Sequence, residues 1–347
     1  MLKKLFLENF RNHKKATLEF GKCTLIIGEN GAGKSNVIEA LSLLSSCRSF
    51  REDDKKNLVN CDSDFARIVS GELEIFIQKT PRVLFKTKYK EVFRRQSEFV
   101  GIQKAVVFSP ESISIICGTP KNRRRFIDML ISQKSIEYLR ALVNYEKMRL
   151  ERNALLERIQ RGEGSEPELS FWDSGLVNEG SILLRHRKAV IEFLNSTVPS
   201  SYEKISGKRD KLEIEYVNTT TPEQFLADLG RKQRLEVARG KTLIGPHRDD
   251  LVFKLNSLDM SKFASRGEIR SGILALKVGE LQYLKESTGN DEQSLPLLLL
   301  DDVFSEFDNI RRGHVLQLVG EYQSVITTTD KTFLPEEFLE DVKIIEL

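Results

Sequence analysis

The sequence predicts an α/β protein built on a phosphate-binding loop, with a helical arm inserted into it. Three observations predict this class. Gly28-Glu29-Asn30-Gly31-Ala32-Gly33-Lys34-Ser35 fits the pattern G-x-x-x-x-G-K-[ST]. Leu297-Leu298-Leu299-Leu300-Asp301-Asp302 is an apolar run that closes on two carboxylates. Between them, after Pro120, the spacing turns helical and two long stripes flank a single turn.

The loop has the right neighbours. Cys23 to Ile27 is a short apolar, β-branched run and reads as a buried strand entering the loop. Val37, Ile38, Ala40, Leu41 and Leu44 recur at helical spacing, so a helix leaves it. Glycines let backbone amides come close to an anion, and the new helix points its positive end at the same place. Lys34 can reach the β- and γ-phosphates of a nucleotide, and the Ser35 hydroxyl can ligate magnesium. The nucleotide-binding candidates are therefore Gly28, Glu29, Asn30, Gly31, Ala32, Gly33, Lys34, Ser35 and Asn36.

At 347 residues the chain is long enough for one large or two smaller domains. It is 30 % charged and 40 % hydrophobic, as soluble globular proteins are. Met1 to Leu7 alternates like a first strand, unlike a signal peptide, and no apolar run approaches the roughly 20 residues of a membrane helix. Four cysteines form no C-x-x-C pair and the four histidines are scattered, so a cytoplasmic protein with reduced thiols and no zinc site is the simplest reading. Net charge is only +3, but it is unevenly spread. Residues 79–104 hold eight basic and two acidic side chains, 121–161 eleven and five, and 291–308 none and six. This asymmetry points to a polyanion-binding face separate from a metal-binding carboxylate site; ordinary solvated surface is the alternative.

Residues 2–20 read as two strands around Asn9-Phe10-Arg11-Asn12-His13. Arg11 and Asn12 then lie either near the nucleotide base or simply in the turn. Residues 65–77 and 82–88 alternate at period two, and 104–110 reads as a buried strand ended by Pro110. Lys121 to Asp128 opens a helix with a basic first turn, which opposes the helix dipole. Arg123, Arg124 and Arg125 there serve an anion or a neighbouring acid.

In 135–156, Ile136, Leu139, Val143, Leu150 and Ala154 suggest one long helix. In 169–194, Leu169, Trp172, Leu176, Leu183, Val190 and Phe193 suggest another. The Gly162 to Pro167 turn joins them into an antiparallel pair, with Trp172 packed inside it. Residues 212–217 return to strand, 222–239 to helix, and 242–253 read as strand, turn, strand. His247 in that turn is a turn residue or a catalytic one.

In a phosphate-loop enzyme the strand ending in Asp301-Asp302 is expected beside the strand that feeds the loop. Asp301 would hold magnesium through water, and Asp302 would orient or deprotonate the attacking water; a helix cap is the alternative for Asp302. Ala264-Ser265-Arg266-Gly267-Glu268 is a capped helix start able to bind phosphate, followed by Ile273, Leu274, Leu276, Val278 and Leu281 at helical spacing.

Loop early, Ser-x-Gly-Glu helix start late, then paired acids is an order that resembles ABC-type ATPase heads. Ser305 to Asp308 looks like their dimer-contacting loop, with Asp308 at the family's aspartate position. Thr329 falls where many carry a switch histidine. More narrowly the chain resembles the RecF family of SMC-like proteins. The resemblance rests on Asn9-Phe10-Arg11-Asn12, the loop and helix of residues 28–40, Arg123 to Asp128, Phe171-Trp172-Asp173, Gly245 to Leu251, Ala264 to Gly267 and Leu299 to Glu306. Glu268 and Phe307 depart from the usual Gln and Leu.

This resemblance implies a head of residues 1–120 and 206–347 and a helical arm of 121–205. It implies a homodimer closed by ATP and Mg2+, with Ser265, Arg266, Gly267 and Glu268 completing the partner's site. It further implies binding of gapped or duplex DNA, and help to RecO and RecR in loading RecA. The DNA candidates are Lys86, Lys88, Arg94, Arg95, Arg123 and Arg124. Two other functions keep part of the pattern: a small-molecule kinase, which needs no Ser-x-Gly-Glu helix, and an ABC-type ATPase with a protein partner and no DNA.

Overall fold

The computed structural model describes residues 1–286 and 295–347. The acidic stretch 291–308 therefore starts outside the described residues, at Asp291 and Glu292. The chain divides into two compact units: residues 1–113, 201–208 and 266–347, and residues 114–200 and 209–265.

The first unit opens with β1 (Lys4–Phe10), β2 (His13–Glu19), β3 (Cys23–Ile27) and α1 (Lys34–Ser46). β4 (Phe65–Ser70), β5 (Leu73–Gln78), β6 (Leu84–Tyr89), β7 (Val92–Arg94), α2 (Gln96–Phe99) and β8 (Ala105–Phe108) follow. Six of these strands form an antiparallel sheet in the order β2-β1-β4-β5-β6-β7. β4 and β5 bury every second residue, the period that one packed face requires. The short strand β7 has no apolar alternation and was not expected.

The second unit begins with α3 (Ser114–Cys117), α4 (Pro120–Ser132), α5 (Ile136–Gln160) and α6 (Leu169–Ser206), whose last turn clusters with the first unit. It continues with β9 (Leu212–Val217), α7 (Phe225–Arg239), β10 (Asp250–Leu255), β11 (Leu258–Asp259) and α8 (Met260–Phe263). The expected boundaries at 120/121 and 205/206 shift accordingly. Residues 209–265 join the arm because their side chains and backbone bond to it. The Asn195 side chain pairs with both backbone groups of Ile214 at 2.8 Å, and Arg152 on α5 bridges Asp173 on α6 (2.6 Å) and Glu236 on α7 (2.7 Å). A Cβ on Gly180 of α6 would lie 2.5 Å from the Phe225 ring, so only glycine lets α7 in this close.

The α6 stripe packs as expected: Leu169, Leu176, Leu183 and Val190 are buried. Trp172 packs against Leu155, Leu156 and Leu169, joined by Val237 of α7. The α5 stripe does not. Of its five residues only Leu139 is buried; Ile136, Val143, Leu150 and Ala154 face solvent, and the helix buries Tyr138, Leu142, Tyr145, Arg152 and Leu156 instead. Residues 242–244 also form no strand. Their amides are taken by side chains, Thr242 donating to Asn153 (2.8 Å) and Leu243 to Glu236 (2.6 Å).

The first unit resumes with α9 (Arg266–Lys285), β12 (Leu297–Asp301), α10 (Asn309–Glu321), β13 (Ser324–Thr328), α11 (Glu336–Leu339) and β14 (Lys343–Glu346). The second sheet is all parallel, in the order β14-β3-β13-β12-β8. β13 thus stands between the loop-feeding strand β3 and the acid-bearing β12, which were expected to be neighbours. β12 and β13 are buried at every residue, which is why β12 reads as a continuous apolar run rather than an alternating one. Helix α1 packs on both sheets and gives Val37, Ile38 and Leu41 to a core shared with Leu5, Leu7, Ile75 and Leu299.

Candidate functional site

The phosphate loop leaves the carboxyl end of β3, the edge at which open parallel sheets hold their ligands. Gly33 sits at φ 106°, where side chains with a Cβ are strained. A Cβ there would also come within 2.6 Å of His13 and 2.7 Å of Asn12. Those two residues brace the loop. Asn12 donates to the Gly31 carbonyl (3.2 Å) and accepts from Asn36 (2.8 Å), and His13 Nε2 lies 3.1 Å from the Gly33 carbonyl. Arg11 is committed elsewhere: it forks onto the buried Glu39 of α1 (2.8 Å to each oxygen) and donates to the Asn57 carbonyl (2.8 Å). Of the two hairpin candidates, Asn12 is the one at the loop. The buried Lys34 ammonium folds back on the carbonyls of Gly28 (2.8 Å) and Glu29 (2.9 Å).

The acids meet the loop. Ser35 Oγ donates to Asp301 Oδ1 at 2.8 Å, so the two expected magnesium ligands already touch. Thr327 on the intervening strand also donates to Asp301 Oδ1 (2.8 Å), and its Oγ1 accepts from the Asp302 amide (3.1 Å). Asp302 stands in the left-handed region at φ 51°. It does not cap the 3-10 turn that follows, because its side chain makes no bond to it. Instead Asp302 Oδ1 is buried with no hydrogen-bond partner. Burial raises both carboxyls above the ordinary range, opposed by Thr327 and Ser35 at Asp301 and by Lys34 at Asp302. An acceptor held dry beside a lysine fits a nucleotide's attacking water, and the Ser35–Asp301 contact fits a hydrated magnesium ion.

The expected signature segment, Ser265 to Glu268, straddles the boundary of the two units, which falls between Ser265 and Arg266. Helix α9 begins at Arg266, one residue after Ser265, and packs against β8, the edge strand three places from β3 in the parallel sheet. Asp308 caps α10, its carboxylate accepting from the Arg311 amide at 3.0 Å. The Arg311 guanidinium pairs with the same carboxylate, donates to the Gly267 carbonyl (3.1 Å) and donates to Ser271 Oγ (2.9 Å). One side chain therefore ties the expected dimer loop to the expected signature helix. Glu268 pairs with Lys208 at 3.6 Å.

The family model for the RecF/RecN/SMC N-terminal domain matches residues 1–343. A protein of Lachnoclostridium phytofermentans named DNA replication and repair protein RecF is 34 % identical over 342 residues, covering 95 % of this chain and 92 % of its own length. The chain belongs to the RecF family. A protein of that name from Halalkalibacterium halodurans is 33 % identical, covering all of this chain and 97 % of its own. The solved structure of the recombination mediator protein RecF with ATP superposes with a TM-score of 0.88 at 33 % identity, over 96 % of this chain and 93 % of that one. A Pyrococcus furiosus Smc head, at TM-score 0.54 and 16 % identity over 99 % of this chain and 92 % of that one, shares the fold. The fold is an ABC-type phosphate-loop ATPase head with an inserted helical arm.

Two RecF-like motifs find each other inside the arm unit. Arg123 forks onto Asp250 (2.6 and 2.8 Å) and Arg124 donates to the Asp249 carbonyl (2.8 Å). The neighbouring acid that was the alternative reading of this basic turn is present for Arg123, while Arg124 meets only a backbone carbonyl. His247 is a turn residue, with Nδ1 2.7 Å from the Tyr145 hydroxyl and Nε2 3.1 Å from the Thr242 carbonyl. Burial pulls its pKa down to about 3, so it is neutral and its Nε2–H donates. Lys86, Lys88, Arg94 and Arg95 remain together on β6–β7, the edge of the antiparallel sheet. Lys86 and Lys88 lie over the exposed Phe93 ring, and Lys88 also pairs with Glu74 at 3.7 Å.

Sequence reading missed Glu39, Thr327 and Arg311. An acid inside the apolar run of α1 was a signal for Glu39. Thr327 had none, and Arg311 only its i,i+3 spacing from Asp308, because their other partners stand 25 to 44 residues away.

Proposed function

We propose that the chain is an ATP-switched DNA-binding ATPase of recombinational repair and replication-gap processing, acting in the cytoplasm. The observation that carries this reading is the split of the nucleotide machinery. Lys34, Ser35, Asp301 and Asp302 gather at one end of the parallel sheet, while Ser265, Arg266, Gly267 and Glu268 open a helix that packs against β8, three strands from β3. On this reading a helix start able to bind phosphate serves a nucleotide held by a second copy. ATP then binds the closed homodimer better than the open protomers and shifts the population toward it; ADP lacks the γ-phosphate contacts and lets it open.

Loop amides and Lys34 bind the phosphates. Ser35 and Asp301 hold a magnesium ion, which neutralises phosphate charge when bound. Asp302 Oδ1 accepts a proton from the attacking water. The turnover is slow, as suits a switch. The basic edge of Lys86, Lys88, Arg94 and Arg95 holds the phosphates of gapped or duplex DNA, with sequence-independent, salt-sensitive affinity. The placing of the ATP-bound relative in the RecFOR pathway supports RecR and RecO as partners; loading of RecA is the task this proposal assigns to them.

Sedimentation of the wild type and of Lys34→Ala in ATP and magnesium tests the site. The wild type is expected to dimerise in ATP and not in ADP, and Lys34→Ala to remain monomeric in both. ATP-driven dimerisation of Lys34→Ala would overturn the reading of the loop.

A further inference from the structure

The antiparallel sheet has one packed face and one open face. Helix α1 packs on β4 and β5, and Ile68, Ile75, Ile77 and Thr87 turn into that core. The residues between them point the other way. Strand register sets them in two rows: Glu74, Lys88 and Phe93 in one, Arg67, Phe76 and Lys86 in the next. The open face of such a sheet is ordinarily polar. Here cations alternate with aromatic rings. Phe76 is half-buried and stacks on Phe65, with centroids 5.8 Å apart. Phe93, on the edge strand, is 61 % exposed. The ammonium groups of Lys86 and Lys88 lie 5.5 and 5.0 Å from its centroid.

The acids of this face gather away from Phe93. Glu8 on β1 stands opposite Arg67, and Glu74 accepts from Arg67 at 2.9 and 3.1 Å and pairs with Lys88 at 3.7 Å. At the β6–β7 end Glu98 accepts from the Arg95 amide (3.3 Å), and Glu91 stands in the turn beside Lys90. Among the described residues no acid pairs with Lys86 or Arg94. The edge therefore offers positive charge next to an open ring.

A ligand that fits carries an anion and a flat ring in each unit, as an unpaired strand of nucleic acid does. A duplex presents the phosphates but keeps its bases stacked inside. An acidic peptide presents charge without a ring in every unit. A second copy laid along β7 would bring like charge to like. The lysines do not block the ring, because an ammonium that leaves it for a phosphate gives up only a weak, exposed contact.

We propose that the β6–β7 edge holds an unpaired strand of nucleic acid, with a base stacked on Phe93 and neighbouring phosphates on Lys86 and Lys88. The site is the DNA edge of the proposed function, so its assignment rests on that reading and narrows it. The cations take the phosphates of any DNA; Phe93 takes only a base outside a duplex, as in the single-stranded part of a gap.

Two labelled strands of about 15 nucleotides test this, one of thymidines and one of abasic units with the same phosphates. Each is titrated with the full chain by fluorescence anisotropy in ATP and magnesium, beside a blunt duplex. The thymidine strand is expected to bind about tenfold tighter than the abasic one. Phe93→Ala is expected to erase that difference and leave the affinity for blunt duplex unchanged, and Phe93→Trp to restore it. Lys86→Ala is expected to weaken both strands and the duplex alike. Both side chains are exposed, so an unchanged melting temperature verifies that each variant folds.

Equal binding of the two strands, or a preference that survives Phe93→Ala, would overturn the proposal. If the duplex still binds, the edge remains a phosphate site and the proposed function stands. Failure of both strands and the duplex to bind would overturn both. Displacement of the thymidine strand by poly-glutamate at equal charge concentration would overturn the base-stacking site and make an acidic protein the occupant.

Discussion

At Asp302 the backbone turns left-handed and one carboxylate oxygen is buried without a partner. A buried acceptor left unpaired costs on the order of 1–3 kcal/mol, and strain at such a φ adds to it. A fold keeps that cost where the group has work to do. Asp302→Asn is expected to bind ATP and dimerise like the wild type while turnover falls about 100-fold or more. Normal turnover in that variant, followed by phosphate release, would remove Asp302 from the proton-accepting role. Burial also raises its pKa, and the group must be deprotonated to accept a proton. Turnover should therefore drop as pH falls, along an acid limb above the usual carboxylate value of about 4. Thr327 is the positioning residue between the acids. In Thr327→Val the Asp302 amide keeps the Thr327-site carbonyl (3.2 Å), but Asp301 loses a donor. A raised magnesium requirement is expected, with nucleotide affinity in the absence of metal unchanged; equal magnesium titrations would show that the hydroxyl is dispensable.

Among the elements, both long helices were legible from sequence, but the buried face was legible only on α6, for a physical reason. On α5 the buried stripe is built on Tyr138, Tyr145 and Arg152, also seven apart, and these do not register as apolar. Each needs a distant partner: Asp128 for Tyr138, His247 for Tyr145, Glu236 and Asp173 for Arg152. The competing stripe at Ile136, Val143 and Leu150 looks more like a core and is surface. Stability separates the two. Val143→Gln should change it by no more than about 0.5 kcal/mol, and Leu183→Ala on α6 should cost about 2–5 kcal/mol, both read from urea melts.

The turn at 245–251 was legible as a turn, yet its bonds to Tyr145 and Arg123 were not. His247 there has a folded pKa of about 3, below the value of about 6.5 in an unfolded chain. Between those values the unfolded state binds more protons, so stability falls as pH drops from about 6.5 toward 3. The slope approaches about 1.4 kcal/mol per pH unit. His247→Gln should lose that contribution; identical wild-type and variant stability at pH 7 and pH 5, relative to each other, would contradict it.

At the scale of the whole molecule, the order of motifs along the chain carried the fold. Loop, signature start and paired acids are local patterns, each with its own chemistry, and each stands in the element expected. What sequence order could not supply was lateral arrangement. β13 slides between β3 and β12 although it comes last of the three, and residues 209–265 go to the arm although they follow it. Both depend on contacts between residues far apart in the chain. The packing of α9 against β8, three strands from β3, likewise appears only in three dimensions.

The central claim is that nucleotide state controls DNA binding. Anisotropy of a labelled gapped duplex, titrated with the protein in ATP and magnesium and again in ADP, tests it most directly. The account predicts tight binding in ATP that weakens in ADP and weakens further with added salt, at a slope of about 0.9 per phosphate neutralised. Equal binding in the two nucleotides, or none in either, would contradict it.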